Sequence, residues 1–250
     1  MRDQTPSLEP QIDYEILWAG IWGDMQRYGP IHRHHRRIFD TMIQQIPSNE
    51  IHTVADVGCG EGSNLAYLQH RFPHARLFGF DLSYTALQYA KARVQAHLVV
   101  ADIQTNCTAQ QQFDLVVCSD VLEHIEDDMA AIHTIYTVTR KYALIASVQG
   151  DIREFEYRIG HVRSYAYGEL QAKLKIAGFH ILSVVEWGFP LYSPLYRNLL
   201  NIRLVEHATH GRYGVVRKLL CHVLYAMFFL NMHTKGDIIF VLACRNEVNR

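Results

Sequence analysis

Short runs of apolar residues alternate with stretches whose apolar positions recur every three or four residues, and the alternation begins at Ile51. Residues 51–57 read as a buried strand and 58–62 as a glycine-rich turn. A helix follows with Leu65, Leu68 and Phe72 on one stripe, and Pro73 stops it. Residues 76–80 predict a second strand, and Ser83 is placed to cap a helix carrying Leu87, Ala90 and Val94. Residues 98–101 and 113–118 predict strands three and four, 127–139 a helix, and 142–148 strand five. Such a sequence predicts a doubly wound α/β fold, a parallel sheet covered on both faces.

The ends depart from this repeat. Residues 14–46 read as helical, with Trp18 and Trp22 and a break at Tyr28-Gly29-Pro30. They precede the first strand and so predict a cap over residues 1–48, the stretch up to Ser7 being disordered. Beyond a polar loop at 149–163, a helix over 166–177 ends at Gly178. Residues 181–187 and 237–244 predict a late pair of strands. Between them an insertion, 190–235, carries two helical stretches rich in Tyr, Leu and Phe.

Composition narrows the classes. In 250 residues the net charge is −1, and Lys and Arg are spread along the chain. A nucleic-acid binder would concentrate them on one face, so that class is excluded. Cys59, Cys107, Cys118, Cys221 and Cys244 form no close pair, which predicts reduced core residues. No basic-then-apolar leader is seen at the N-terminus. The apolar run 223–232 is about half the roughly 20 residues that span a bilayer. A cytoplasmic protein is expected, able to touch a membrane surface; its oligomeric state is not legible.

Candidate chemistry clusters at strand ends. Asp56-Val57-Gly58-Cys59-Gly60-Glu61-Gly62 joins a strand to a helix through G-x-G-x-G. Glycine permits positive φ and close approach of backbone to ligand. The spacing differs from the G-x-G-x-x-G of dinucleotide sites, and the acid upstream favours a ligand with an amino-acid moiety over a pyrophosphate. Asp81 ends strand two, placed for ribose hydroxyls, and Asp102 with Ile103 ends strand three, placed for an adenine. Strand-end aspartates also cap helices, and Asp81 alone would suit a nicotinamide enzyme equally.

With the fourth strand, Phe113-Asp114-Leu115-Val116-Val117-Cys118-Ser119-Asp120-Val121-Leu122-Glu123-His124-Ile125, the chain resembles the class I S-adenosylmethionine-dependent methyltransferases, in particular the group that includes ubiquinone- and menaquinone-biosynthesis enzymes. The resemblance covers about residues 50–188 and the last strand. It implies a Rossmann-like domain over 49–250 with sheet order 3-2-1-4-5-7-6, strand 7 antiparallel. It also implies S-adenosylmethionine as cofactor. Asp56, Gly58 and Gly60 would line its methionyl part, Asp81 the ribose, Asp102 and Ile103 the adenine edge and Leu82 the adenine face, with Ser119 beside the sulfonium. The run from Trp22 to Pro30 resembles the cap of some bacterial small-molecule methyltransferases. There Tyr28 or Arg33 would bind the cofactor's carboxylate, Arg33 being equally readable as a solvated helix charge.

His124 and His161 fall on the ligand side of the sheet and are the candidate general bases, against a purely scaffolding reading of each. His32, His34 and His35 lie close together, but no carboxylate accompanies them and arginines surround them, so no metal is expected. Tyr192, Tyr196, Tyr213, Tyr225, Phe228 and Phe229 suit an apolar or aromatic acceptor or a lipid-linked one, or simply pack the insertion on the core. Arg212, Arg217 and Lys218 are either contacts for an anionic acceptor or surface charges. The expected reaction is methyl transfer to a hydroxyl or amine of a small molecule such as a secondary metabolite, glycan or lipid-linked acceptor. The alternatives are C-methylation of a quinone-like ring, a nicotinamide-dependent oxidoreductase, and a catalytically silent cofactor-binding subunit.

Overall fold

The computed structural model describes Glu15, Ile16, Trp18 and residues 23–104, 110–203, 205 and 210–245. The stretch up to Ser7, Trp22 and Cys107 lie outside the described residues. Seven strands make one sheet: β1 Thr53–Val57, β2 Arg76–Asp81, β3 His97–Val100, β4 Phe113–Ser119, β5 Thr139–Val148, β6 Phe179–Trp187 and β7 Ile238–Arg245. Their order is β3-β2-β1-β4-β5-β7-β6. The first five pair in parallel, and β7 runs antiparallel to β5 and β6. This is the expected order. It is not the 3-2-1-4-5-6 arrangement of dinucleotide-binding folds.

Parallel strands in mid-sheet are buried on both faces and therefore read as unbroken apolar runs; every residue of β1 and β4 is buried. Alternate residues feed two cores. Val54, Leu115 and Leu144 pack with Leu65 and Leu68 of α3 (Ser63–Arg71) on one side. Ala55, Val116 and Ile145 pack with Ile132 and Ile135 of α5 (Asp128–Val138) and Leu170 of α7 (Glu169–Ile176) on the other. Local chemistry sets the helix starts. Ser83 Oγ accepts the Ala86 N–H at 3.1 Å ahead of α4 (Tyr84–Lys91), and Asp127 accepts the Ala130 N–H at 2.9 Å ahead of α5.

The cap consists of α1 (Gly23–Tyr28) and α2 (Pro30–Ile43), broken at Gly29 as expected. Ile38, Phe39 and Met42 of α2 join the same core as β1 and β7, so the described cap residues share the domain's core. The loop at 149–163 differs from expectation. It contains a short helix, α6 (Glu154–Arg158), because Glu156 reaches back to accept the Arg153 N–H at 2.7 Å. The insertion holds a helical segment kinked at Ser193 (Leu191–Tyr196) and α8 (Val215–Met227). Tyr192 and Phe228 pack into the core beside Trp187, so the packing alternative holds for these two aromatics. No helix among the described residues is long and apolar enough to cross a membrane.

Candidate active site

Register brings the strand-end residues together. Val57 lies opposite Phe80 and Cys118, Asp81 opposite Val100, and Ser119 opposite Ala146. The chain therefore leaves β1, β2, β3 and β4 along one carboxyl edge, where open α/β sheets hold ligands. Phe80 C=O accepts the N–H groups of Gly58 and Cys59 at 2.8 and 3.0 Å, which locks the glycine turn against β2. Gly58 has φ +68°, and a Cβ there would meet Val121 at 2.1 Å; only glycine fits. The indole of Trp18 lies on Gly60, 2.5 Å from where a Cβ would stand.

Two cavities meet at this edge. One, of about 460 Å³, is lined by Gly58, Asp81, Leu82, Asp102, Ile103 and Phe113 among others. The second, of about 290 Å³, is lined by Gly60, Ser119, Glu123, His161, Tyr192, Tyr196, Tyr213 and Arg217 among others. Trp18, Gly58, Asp120 and His124 border both. All ten strand-end and histidine candidates except Asp56 thus line a cavity, and Asp56 lies beneath the glycine turn.

Tyr28 and Arg33, expected near the cofactor's carboxylate, are not among the residues lining these two cavities. Arg33 stacks on the Tyr225 ring at 3.6 Å, and Tyr28 carries the Lys218 ammonium at 4.4 Å. The cause is helix phase: His32 and His35, three apart, share the face of α2 that meets the cavity, while Arg33 points to α8. His34 also turns away, stacked on Trp187 at 5.0 Å.

The acids are tuned by burial. Asp56 is fully buried, neither oxygen has a hydrogen-bond partner, and burial with the Asp81 charge nearby raises its pKa well above the usual carboxylate range. Asp81 accepts the N–H of Gly60 at 2.8 Å and of Ser83 at 2.9 Å; burial still raises its pKa against these bonds. Asp102 accepts the Gln104 N–H at 2.8 Å. An orphaned carboxyl under a glycine cradle fits the ammonium of a methionyl group, and two carboxylates along the larger cavity fit a nucleoside.

Asp120 was not singled out from the sequence, although it follows Ser119 at the same strand end. Its φ is +57°, a left-handed conformation that aspartate tolerates better than most residues. Its carboxylate accepts from Ser119 Oγ at 3.0 Å and His35 Nδ1 at 3.1 Å, with His32 Nδ1 at 3.9 Å. Burial opposes its charge, but the two imidazoles hold its carboxyl below the usual range. The fold thus supplies the carboxylate that the sequence did not show beside these histidines. A second trio lies across the cavity. Glu123 accepts from Ser147 Oγ at 2.7 Å, and burial together with Asp120 pushes its pKa up to about 8. His124 Nδ1 donates to Gly160 C=O at 3.1 Å, and burial pushes its pKa down to about 4. The His161 ring packs edge-on against it at 4.6 Å. His161 Nδ1 is buried without a hydrogen-bond partner, and burial lowers its pKa well below the ordinary value. Among the described residues, His32/His35/Asp120 and Glu123/His124/His161 each bring ligand-type atoms within 4.8 Å of one another.

Arg197 is a further residue that the pattern concealed. Fully buried, it bonds Glu156 at 2.6 and 2.8 Å, Asp237 at 2.8 Å and Gln149 C=O at 3.1 Å. It ties the insertion to α6, the end of β5 and the start of β7.

Residues 54–142 match a protein-family model described as a methyltransferase domain. Over those residues the chain is similar to methyltransferase domains. Trans-aconitate 2-methyltransferase of Variovorax paradoxus is 30% identical over 114 residues, 45% of this chain and 44% of that protein. Ubiquinone biosynthesis O-methyltransferase of Salmonella paratyphi A is 27% identical over 145 residues, 53% of this chain and 59% of that one. The chain therefore spans only about half the length of these relatives. Among solved structures, a chain of the Haloferax volcanii complex between the Trm112 methyltransferase activator and a methyltransferase superposes with TM-score 0.64 at 15% identity, covering 95% of this chain and all of that one. Phosphoethanolamine N-methyltransferase 2 of Haemonchus contortus, in complex with phosphomonomethylethanolamine and S-adenosylhomocysteine, does so with TM-score 0.58 at 16% identity, over 84% of this chain and 52% of that one. At these identities the structural likeness concerns the fold of the domain.

Proposed function

We propose that this protein transfers the methyl group of S-adenosylmethionine to a hydroxyl or amine of a small acceptor with apolar or aromatic surface. The observation that carries this is the pair of cavities sharing Gly58, Asp120 and His124. One has the carboxylates a nucleoside needs, and the other is walled by Tyr192, Tyr196, Tyr213 and Leu224. The cofactor, when bound, supplies an activated methyl group. Asp81 and Asp102 would hold its ribose and adenine edge, with Ile103 and Leu82 against the ring. Asp56 would pair with the methionyl ammonium, and Ser119 would flank the transfer path. The chain's contribution is alignment and exclusion of water, an orientation effect worth up to roughly 7–11 kcal/mol.

His161 is our candidate to accept the acceptor's proton, with His124 held in one tautomer by Gly160. Their lowered pKa values keep both imidazoles in the base form from neutrality down to mildly acidic pH. A second candidate is His35, because Asp120 fixes its Nδ1 as donor and leaves Nε2 as the lone-pair atom. Loss of kcat in His161→Ala with His35→Ala near wild type supports the first assignment; the reverse pattern supports the second.

The relatives' names point to different acceptors. The lining of the smaller cavity favours the aromatic kind over an aconitate-like anion. It includes Glu61, Asp120, Glu123 and Glu156, while its one Lys or Arg among the described residues, Arg217, is stacked on Tyr213 and bonded to His210 C=O. Transfer of labelled methyl to phenolic and amine acceptors tests the activity, with titration by S-adenosylmethionine against NAD testing the cofactor. Asp81→Ala should weaken S-adenosylmethionine binding by roughly tenfold to a hundredfold, since hydrogen bonds to a charged group contribute about 1.5–3 kcal/mol. Unchanged affinity would remove the ribose assignment.

A further inference from the structure

Helix α8 turns an apolar face to solvent. Val215 and Val216 are 85% and 82% exposed and Leu219 is 64% exposed, with Leu220, Val223 and Met227 continuing the stripe. Phe229 and Leu230 extend it beyond the helix end. At about 100° per residue these six helix positions fall within an arc of roughly 140°, with Lys218 beyond one margin and Arg217 beyond the other. Residues 207–236 contain Arg212, Arg217, Lys218 and Lys235 and no Asp or Glu. A broad apolar face with cations at its margins is the composition of a helix that lies in a lipid headgroup layer.

We propose that α8 and the Phe229–Leu230 turn dock this protein on an anionic bilayer surface. Charge complementarity selects that occupant. The net positive charge of residues 207–236 would be drawn to acidic headgroups, whereas a second copy packed through the same face would set these cations against their own equivalents. The docked face is continuous with the candidate active site. Leu220 belongs both to the outward stripe and to the lining of the acceptor-side cavity, and Cys221 and Leu224 stand behind it. Docking therefore sets the cavity wall at the headgroup–acyl boundary, where an acceptor with an apolar tail resides. This delivery role rests on the methyl transfer proposed above; the docking does not.

Co-sedimentation of the full chain with phosphatidylcholine–phosphatidylglycerol vesicles, against phosphatidylcholine alone, tests it without reference to activity. Binding to the anionic vesicles that weakens as salt is added, with little binding to the neutral ones, is expected. The variant Val216→Asp/Leu219→Asp should lose binding by roughly tenfold to a hundredfold, the effect of withholding one or two buried aliphatic side chains from the apolar layer. Its circular dichroism and S-adenosylmethionine affinity should stay unchanged. Tryptophan placed at Val216 should shift its emission to the blue on vesicle addition. Absence of binding, equal binding to neutral vesicles, or a dimer in sedimentation that the double variant dissolves would each overturn the proposal, the last by assigning the face to self-association.

Discussion

Asp56 shows how one buried carboxyl is poised by what surrounds it. Without a donor to either oxygen, its ionised form is disfavoured, and an ammonium arriving beside it would shift it back toward ionisation. S-adenosylmethionine binding should therefore release protons, seen as a buffer-dependent enthalpy in calorimetry. Asp56→Asn should abolish that release and weaken binding by about tenfold to a hundredfold. Glu123 gives a second test. Its folded pKa of about 8 lies above the ordinary 4.5, so the native state holds a proton that the unfolded chain has lost. Its contribution to stability is complete below about 4.5 and is lost as pH rises toward about 8. Glu123→Gln, which copies the protonated shape, should raise Tm relative to wild type increasingly across that window and not below it. A constant difference at every pH would refute the assignment.

At the scale of elements, the network around Arg197 decides whether the insertion is a loose lid or part of the core. One buried guanidinium satisfies Glu156, and with it Asp237, across three separate elements. Removing it leaves the buried Glu156 carboxylate without its guanidinium partner, a loss of about 3–5 kcal/mol. At roughly 2–4 °C per kcal/mol for a chain of this size, Arg197→Met should lower Tm by on the order of 10 °C. Adding Glu156→Gln should restore part of that. If Arg197→Met melted like wild type, the network would carry no stability. Excising 191–233 is consequently a poor probe of acceptor binding, since Tyr192 and Phe228 are core residues.

Over the whole molecule, the cap, the sheet edge and the insertion close around one pair of cavities through Trp18, α2 and Tyr213. A ligand bound there at about a hundred times its Kd adds about 2.7 kcal/mol to stability, a rise in Tm of several degrees. S-adenosylmethionine and S-adenosylhomocysteine should both produce it and NAD should not, as read by thermal denaturation. A shift with NAD alone would return the dinucleotide alternative that the strand order argues against.

The strand order followed from the family resemblance; the alternation of strands and helices, the helix cap at Ser83, the glycine turn and the strand-end carboxylates Asp81 and Asp102 were legible in the chain itself. Each rests on local rules: apolar runs for buried parallel strands, short polar side chains for free N–H groups, glycine for positive φ. Those rules act over a few residues, so a linear reading captures them. The Asp120–His35 pair, the carboxyl of Glu123 that retains its proton, the Arg197 network and the cavity-averted positions of Tyr28 and Arg33 were not legible. They join residues between 24 and 85 positions apart, from Glu123–Ser147 to His35–Asp120, or depend on the rotation of α2 about its axis. Burial and partnership of a charge are properties of the packed molecule, and only tertiary structure fixes which acid meets which base and whether water reaches either.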